Sequence, residues 1–394
     1  MRVLVVHNNY RQPGGEDEVA KREAALLRSR GHDVKEFHRS NAETQQASGL
    51  AAGLVALESI WSRQTATDLS NLVSDFKADV VHFHNTFHRI SPSAYRACRQ
   101  HGAAVVQTIH NPRFLCPSAT FWRKGRLCVD CLKSRAKFPG VRHGCYHGTT
   151  GHTIMAAGFT AISYLEGVTW KQVDLFLLST HFYHKLFMDA GWPQDRMQVK
   201  PHFLAEVPVA QADRGEYALF VGRLSPEKGV KTLLRAWDGM RDIPLVLRGS
   251  GELQNCIPPH IPRTQRLTQA ELFELYRGAR FLVWPSEGYY ESFGLVAVEA
   301  FACGIPVIAA RTGVAEEIVQ DNRTGLFFSA GDSDDLVRMV RWAWNHPSEL
   351  EEMGHQAREE FLRKYTADAN YPQIEKAYLT AMKIRGSARI EAKG

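Results

Sequence analysis

Short apolar runs separated by helix-length amphipathic stretches organise this chain. Residues 2–7 (RVLVVH) read as a buried strand, followed by a loop that contains Gly14-Gly15. A helix is expected over 18–30, where Val19, Leu26 and Leu27 recur at helical spacing and Gly31 gives the stop. Further strands are predicted at 34–37, 80–83, 104–109 and 175–179. After a loop at 205–216 the pattern restarts: strands at 217–221, 244–248, 281–284 and 306–309 alternate with helices at 230–237, 269–279 and 295–302. Strands spaced by helices imply parallel sheets covered on both faces. Two such series in succession predict an α/β chain of two doubly wound, Rossmann-like domains. Each would have its ligand crevice at the carboxyl ends of its strands, the two facing a central cleft. The closing stretch 333–382 reads as mostly helical with breaks near Pro347 and Pro372. The expected division is 1–204, 205–365, and a C-terminal helical segment 366–394 returning to the first domain.

Length supports two cores, since 394 residues exceed what one hydrophobic core usually organises. Hydrophobic residues at 44% and charged residues at 23% are globular values, neither disordered nor fibrous. No apolar run approaches the roughly 20 residues of a membrane span. The most apolar stretch, 153–165, is short and holds Thr160 and Ser163, and MRVLVVHNN does not read as a signal peptide. The expectation is a cytoplasmic protein. Net charge is a modest +6 but uneven: residues 113–145 carry eight Lys/Arg against the single acid Asp130. That field suits an anionic acceptor or a lipid headgroup surface, hence association at the membrane surface; a solvated basic loop is the plainer reading.

The densest chemistry lies in 285–306, PSEGYYESFGLVAVEAFACGIP. Ser292-Phe293-Gly294 stands where a loop enters a helix, so unpaired backbone N–H groups there favour an anion. Glu291 precedes that helix, and Glu299 follows about two turns down it. Carboxylates so placed can accept hydrogen bonds from sugar hydroxyls and from a second polyol such as ribose. Apolar neighbours Val296, Val298, Ala300 and Phe301 argue against an ordinary exposed position for Glu299. Upstream, Val221-Gly222-Arg223 ends a strand and Lys228-Gly229 follows. Two cations at a strand end can neutralise a diphosphate, which is also what a nucleotide leaving group requires. A second glycine turn, Gly249-Ser250-Gly251-Glu252, lets backbone approach a phosphate or sugar. Each element alone is weak; four in order after successive strands are specific.

The run FVGRLSPEKG…GSGE…PSEGYYESFGLVAVEA resembles the retaining glycosyltransferases of family 4, which have the GT-B fold and two glutamates separated by seven residues, here Glu291 and Glu299. The stretch LLSTHFYHKLFMDAGWPQDRMQVKPHF is similar to the family's segment entering the interdomain linker. The resemblance implies that Arg223 and Lys228 bind the donor diphosphate, Glu299 the ribose and Glu291 the hydroxyls of the transferred hexose. Backbone around Phe293, Gly294 and Leu295 would contact phosphate and sugar, and backbone around Arg266 and Leu267 would read the base. In the N-terminal domain, Gly15 would belong to a glycine loop facing the diphosphate, and His110 would match the active-site histidine. The implied reaction retains anomeric configuration without a catalytic metal. No carboxylate is placed as a double-displacement nucleophile, so a front-face reaction is expected. The expected donor is a UDP- or GDP-sugar, and the expected acceptor a glycan, a lipid-linked intermediate or a small molecule.

Cys116, Cys128, Cys131 and Cys145 fall within thirty residues of the basic excursion 111–147. The CxxC of Cys128 and Cys131 allows two thiolates to share a tetrahedral ion, and the flanking pair completes a four-thiolate set; His143 and His147 are substitutes. A structural zinc ion and free thiols in a loop are the two readings. His82, His84 and His88 invite a metal as well, but the resemblance favours a strand end at the acceptor cleft, with His84 or Asn85 expected to contact acceptor. A dehydrogenase is disfavoured because no GxGxxG opens the first helix. Nucleic acid is disfavoured because no recognised motif accompanies the basic segment. Two rivals remain on the same fold: a sugar-phosphate synthase, and a non-catalytic nucleotide-sugar binding protein.

Overall fold

The computed structural model describes residues 1–10, 14–44, 49–165, 168–210, 215–264, 267–288 and 291–391. The chain forms two compact units: Met1–Arg123 with Cys128–Pro201 and Asn370–Gly394, and His202–Ala369 with Lys124–Leu127. In the first unit, β1 (Arg2–Asn9), β2 (Asp33–Ser40), β3 (Val80–Phe83) and β4 (Ala104–Ile109) join two later strands in one sheet. Between them lies a small two-stranded sheet of β5 (Trp122–Arg123) and β6 (Arg126–Leu127). The later strands are β7 (Leu175–Leu178) and β8 (Met197–Val199), and the order is β2-β1-β3-β4-β7-β8, every neighbouring pair parallel. The apolar runs explain the strands: Val3 to Val6 are all fully buried, as a strand covered on both faces requires. On one face Val3, Val5, Val80, Val106 and Leu177 pack against Ala24 and Leu27 of the helix Gly15–Ser29 and Ile374, Ala377 and Tyr378 of the helix Ala367–Glu391.

The second unit repeats the plan with β9 (Tyr217–Val221), β10 (Leu245–Arg248), β11 (Arg263–Thr264), β12 (Ala279–Trp284), β13 (Val307–Ala310) and β14 (Gly325–Phe328). Their order is β11-β10-β9-β12-β13-β14, again parallel throughout. One face is covered by the helices Val230–Asp238 and Ser333–Asn345 through Leu233, Trp237, Leu336 and Val340. Both sheets contain a topological switch. The chain leaves β1 for β2 on one side and returns to β3 on the other; it does the same at β9, flanked by β10 and β12. Adjacent loops diverge there and open a crevice at the strands' carboxyl ends.

Element placement follows the sequence pattern with three physical corrections. The helix expected over 269–279 is Gln269–Arg277, because Gly278 caps it and Ala279 already begins β12. That helix starts where a capping box predicts: Thr268 accepts from the Glu271 N–H while the Glu271 carboxylate accepts from Thr268. Pro372 breaks nothing. The interruptions fall at His346 and at Tyr365-Thr366, and Pro372 lies inside the helix Ala367–Glu391. The sequence pattern also left β5, β6, β8, β11 and β14 unread: the first four have two or three residues each, and β14 is the four-residue run Gly325–Phe328. Among the described residues no helix is long and apolar enough to cross a membrane.

Candidate functional site

At the switch of the second unit, the loop after β9 and the loop after β12 press together, and glycine makes this possible. A Cβ on Gly229, which has φ +70°, would stand 1.8 Å from the Pro285 carbonyl oxygen. The Glu287 and Gly288 N–H groups both donate to the Glu227 carbonyl, at 3.0 and 2.8 Å. Gly294, at φ +88°, would carry a Cβ 2.3 Å from the Trp284 ring, so only glycine lets the helix Leu295–Ala302 begin against that tryptophan. These approaches bring Lys228 to Glu291. Lys228 Nζ donates to Glu291 Oε1 at 2.6 Å, and Trp284 Nε1 donates to Oε2 at 2.9 Å. Burial opposes ionisation of Glu291, but Lys228, with help from Ser286 and Trp284, outweighs it and holds the carboxyl below the usual range. Glu291 is therefore an ionised acceptor fixed through both oxygens.

Glu299 is buried on the helix that follows, where Tyr276 donates to its Oε2 at 3.0 Å and also reaches the Val296 carbonyl at 3.2 Å. Arg223 stands at the end of β9 with its side chain 62% exposed, 3.4 Å from Glu227, so it has reach toward an anion. The glycine turn after β10 is equally tight. A Cβ on Gly249 would lie 1.8 Å from the Gly222 oxygen and one on Gly251 2.4 Å from the Leu224 oxygen, while the Ser250 carbonyl accepts from Leu224 N–H at 2.9 Å. Leu267 sits partly buried just before the Thr268 cap; Arg266 lies outside the described residues. The Phe293 side chain is buried edge-on between His202 and Tyr365 (5.0 and 5.8 Å between centroids), just before Gly294 and Leu295 begin the next helix.

The first unit gathers polar groups at the matching switch, the ends of β1, β3 and β4. His110 directly follows β4, and its Nε2 is 2.9 Å from His84 Nδ1, the rings stacked at 5.2 Å. His84 Nε2 lies 3.6 Å from Glu23 Oε2. Glu23 also meets the buried Lys200, whose Nζ donates to Oε1 at 2.5 Å and to Asn370 Oδ1 at 3.1 Å. His82 is bonded through both nitrogens, to Tyr378 Oη at 2.9 Å and Thr108 Oγ1 at 2.7 Å. Nearby, His7 pairs with Asp17 at 2.9 Å, and Asp17 caps the Gly14 N–H at the start of the helix that Gly15 opens. Asp17 is costly to bury, yet its bonds to His7, Gly14 and Tyr10 pull its carboxyl down.

Expectations about this histidine group need correction. His84 and Asn85 do not stand out to meet an acceptor: both are buried, and Asn85 donates to the Asn8 carbonyl at 2.8 Å. His88 bonds Tyr146 Oη at 3.0 Å, apart from the other two. Glu23, His82 and His84 do bring one ligand atom each within 4.8 Å of the others. Both His82 nitrogens are already engaged and Lys200 neutralises Glu23, so the cluster reads as a sealed polar core. Sequence reasoning missed Glu23, Lys200, Tyr276, Trp284 and Tyr378. Glu23 carried a signal, since it falls on the Val19–Leu27 stripe, four residues from each; Lys200 and Tyr378 gain their roles only through contacts across more than 170 positions.

Comparison with known proteins completes the description. A family model described as "Glycosyl transferase 4-like domain" matches residues 14–202, and one described as "Glycosyl transferases group 1" matches 207–360. D-inositol 3-phosphate glycosyltransferase 2 of Catenulispora acidiphila is 34% identical over 167 residues, covering 37% of this chain and 39% of that protein. Sulfoquinovosyl transferase SQD2 of Arabidopsis thaliana is 30% identical over 178 residues, 42% of this chain and 34% of that one. The chain thus spans less than half the length of these relatives. Among solved structures, sucrose-phosphate synthase of Thermosynechococcus elongatus superposes with TM-score 0.70 at 16% identity, covering 96% of this chain and 98% of that one. Anabaena Alr3699/HepE in complex with UDP gives 0.67 at 15%, covering 95% and 99%. At such identity the likeness shows fold, and the fold is GT-B.

Proposed function

Because the chain belongs to the glycosyltransferases, with a 4-like half and a group 1 half, we propose that it transfers a hexose-type sugar from a nucleoside-diphosphate donor, UDP- or GDP-linked, to a hydroxyl acceptor. The observation that carries this reading is the fixing of ionised Glu291 between Lys228 and Trp284, with Glu299 buried two turns down the adjoining helix. One carboxylate accepts hydrogen bonds from the transferred sugar; the other holds the ribose.

Lys228 and Arg223 answer the charge that develops when the bond from the anomeric carbon to the diphosphate breaks. The acceptor oxygen bonds to that carbon on the same face, and its proton passes to the departing phosphate oxygen. Configuration is retained, and the residues supply position and charge with no metal. Glu291 is held too firmly by its two partners to serve as a nucleophile. His110 is the first unit's contribution to the sugar, and Gly15, the first residue of its helix, is the glycine that faces the diphosphate in this reading. Acceptors of glycan or lipid-linked type agree with the basic stretch around residues 113–145, and so does work at a membrane surface. A thermal-shift panel with UDP, GDP, ADP and dTDP tests the reading: one nucleotide should raise the midpoint clearly. No shift with any of them would overturn it.

A further inference from the structure

The excursion between β4 and the helix Thr150–Ile162 contains an arrangement that sugar transfer does not use. Cys116, Cys128, Cys131 and Cys145 all line one cavity, together with Arg123 and Gly140. None of the four is in a disulfide. Turns fix their backbones: Cys116 N–H donates to the Pro112 carbonyl at 2.8 Å, Cys128 to Phe121 at 2.7 Å and Cys145 to Gly140 at 3.2 Å. A Cβ on Gly140 would lie 3.3 Å from Cys131 Sγ, so bare backbone closes that side of the cavity.

Two further features ask for a strong centre here. The first is Lys137, which is fully buried. Its Nζ donates to the Cys131 carbonyl at 3.0 Å and lies 4.1 Å over the Tyr164 ring. A buried ammonium is costly unless an anion lies near it, and Cys131, whose carbonyl it meets, is one of four cysteines around the adjoining cavity. Arg123 adds a second cation beside the Cys128 sulfur, shared with Asp130 at 2.9 Å. The second feature is backbone strain. Ala119, Phe121, Lys124, Lys137 and His147 all have φ between +49° and +60°, five of the eight non-glycine residues with positive φ among those described. Each such residue costs about 1 kcal/mol or more and persists only where surrounding structure enforces it. Yet regular structure here is slight: two two-residue strands and one five-residue helix, Phe138–Arg142.

We propose that Cys116, Cys128, Cys131 and Cys145 bind one structural zinc ion as thiolates and so hold this excursion in shape. Four thiolates on a dication leave two negative charges, which Lys137 and Arg123 face. The sulfurs surround the cavity more loosely than bound ligands do, since no three of them lie mutually within 4.8 Å. Binding releases the thiol protons to solvent and involves no redox change. The claim is independent of the nucleotide-sugar reading.

The test is metal analysis of the full chain grown in zinc-supplemented medium and purified without chelator. About one zinc per chain is expected. Cobalt exchanged into the same protein should show sulfur-to-metal charge transfer and the visible bands of a tetrahedral thiolate site. Cys128→Ser/Cys131→Ser should retain less than about a tenth of the zinc, while Cys303→Ser keeps all of it. Should that double variant fail to fold, the cobalt spectrum of the unaltered chain decides alone. Zinc below about a tenth per chain with no cobalt uptake overturns the proposal. So does an intact mass lighter by the hydrogens of disulfide formation among these cysteines.

Discussion

The two units place charged groups at the same topological position and treat them in opposite ways. In the second unit Lys228, Glu291 and Arg223 stand on loops beside the switch, their side chains 24%, 17% and 62% exposed, with geometry set by glycines. In the first unit Glu23, Lys200, His82 and His84 are sealed at 0% and answer one another. The difference separates a site that keeps its charges accessible to a ligand from a polar core that ties strand ends together. His110, at 6% exposure, is where that core comes nearest to solvent.

The largest effect should come from breaking the sealed side. Lys200→Met leaves Glu23 buried without its cation, and urea unfolding should show a loss of about 3–5 kcal/mol. Pairing it with Glu23→Leu should restore much of that. A single variant as stable as the wild type would mean that the pair does not hold the core. Next comes acid. Burial drives the His82 pKa from its ordinary 6.5 to about 4 and the His84 pKa well below its ordinary value. A histidine depressed on folding takes up its proton first in the unfolded chain. The associated stability is therefore complete above about 6.5 and is lost as pH falls toward about 4. His82 alone accounts for about 3 kcal/mol of that loss by the lower limit. Thermal midpoints should hold from about pH 7.5 to about pH 6.5 and fall from there down to pH 5, and a flat profile would contradict neutral burial.

On the accessible side, Glu291→Gln keeps the shape and removes the charge that Lys228 faces. Transfer should drop about a hundredfold in kcat, with nucleotide affinity nearly kept. Full activity would remove Glu291 from the site.

The same contrast explains what could be read in advance. Nearly all the long strands were visible, because a doubly covered parallel strand leaves an uninterrupted apolar run such as Val3 to Val6. Arg223, Lys228 and Glu291 could be singled out because they lie on loops beside glycines, within seven residues of the ends of β9 and β12, and Glu299 because it is a carboxylate among apolar helix neighbours. Partners supplied from far away could not. Nothing near Lys200 in the sequence announced Glu23, 177 positions away. The Pro372 break failed for another reason: Asn370, which donates to the Pro201 carbonyl at 2.7 Å, and the packing of Ile374 and Tyr378 hold that helix through its proline.

In the proposed reaction Glu299 of the second unit anchors the donor nucleotide, while His110 of the first unit serves transfer. Calorimetric titration of the nucleotide found in the thermal-shift panel, into wild type, Glu299→Ala and His110→Ala, tests this most directly. Losing a hydrogen bond to a charged group should weaken binding to Glu299→Ala by about ten- to a hundredfold. His110→Ala should bind as the wild type does and transfer slowly. Wild-type affinity in Glu299→Ala, or lost affinity in His110→Ala alone, would contradict the account.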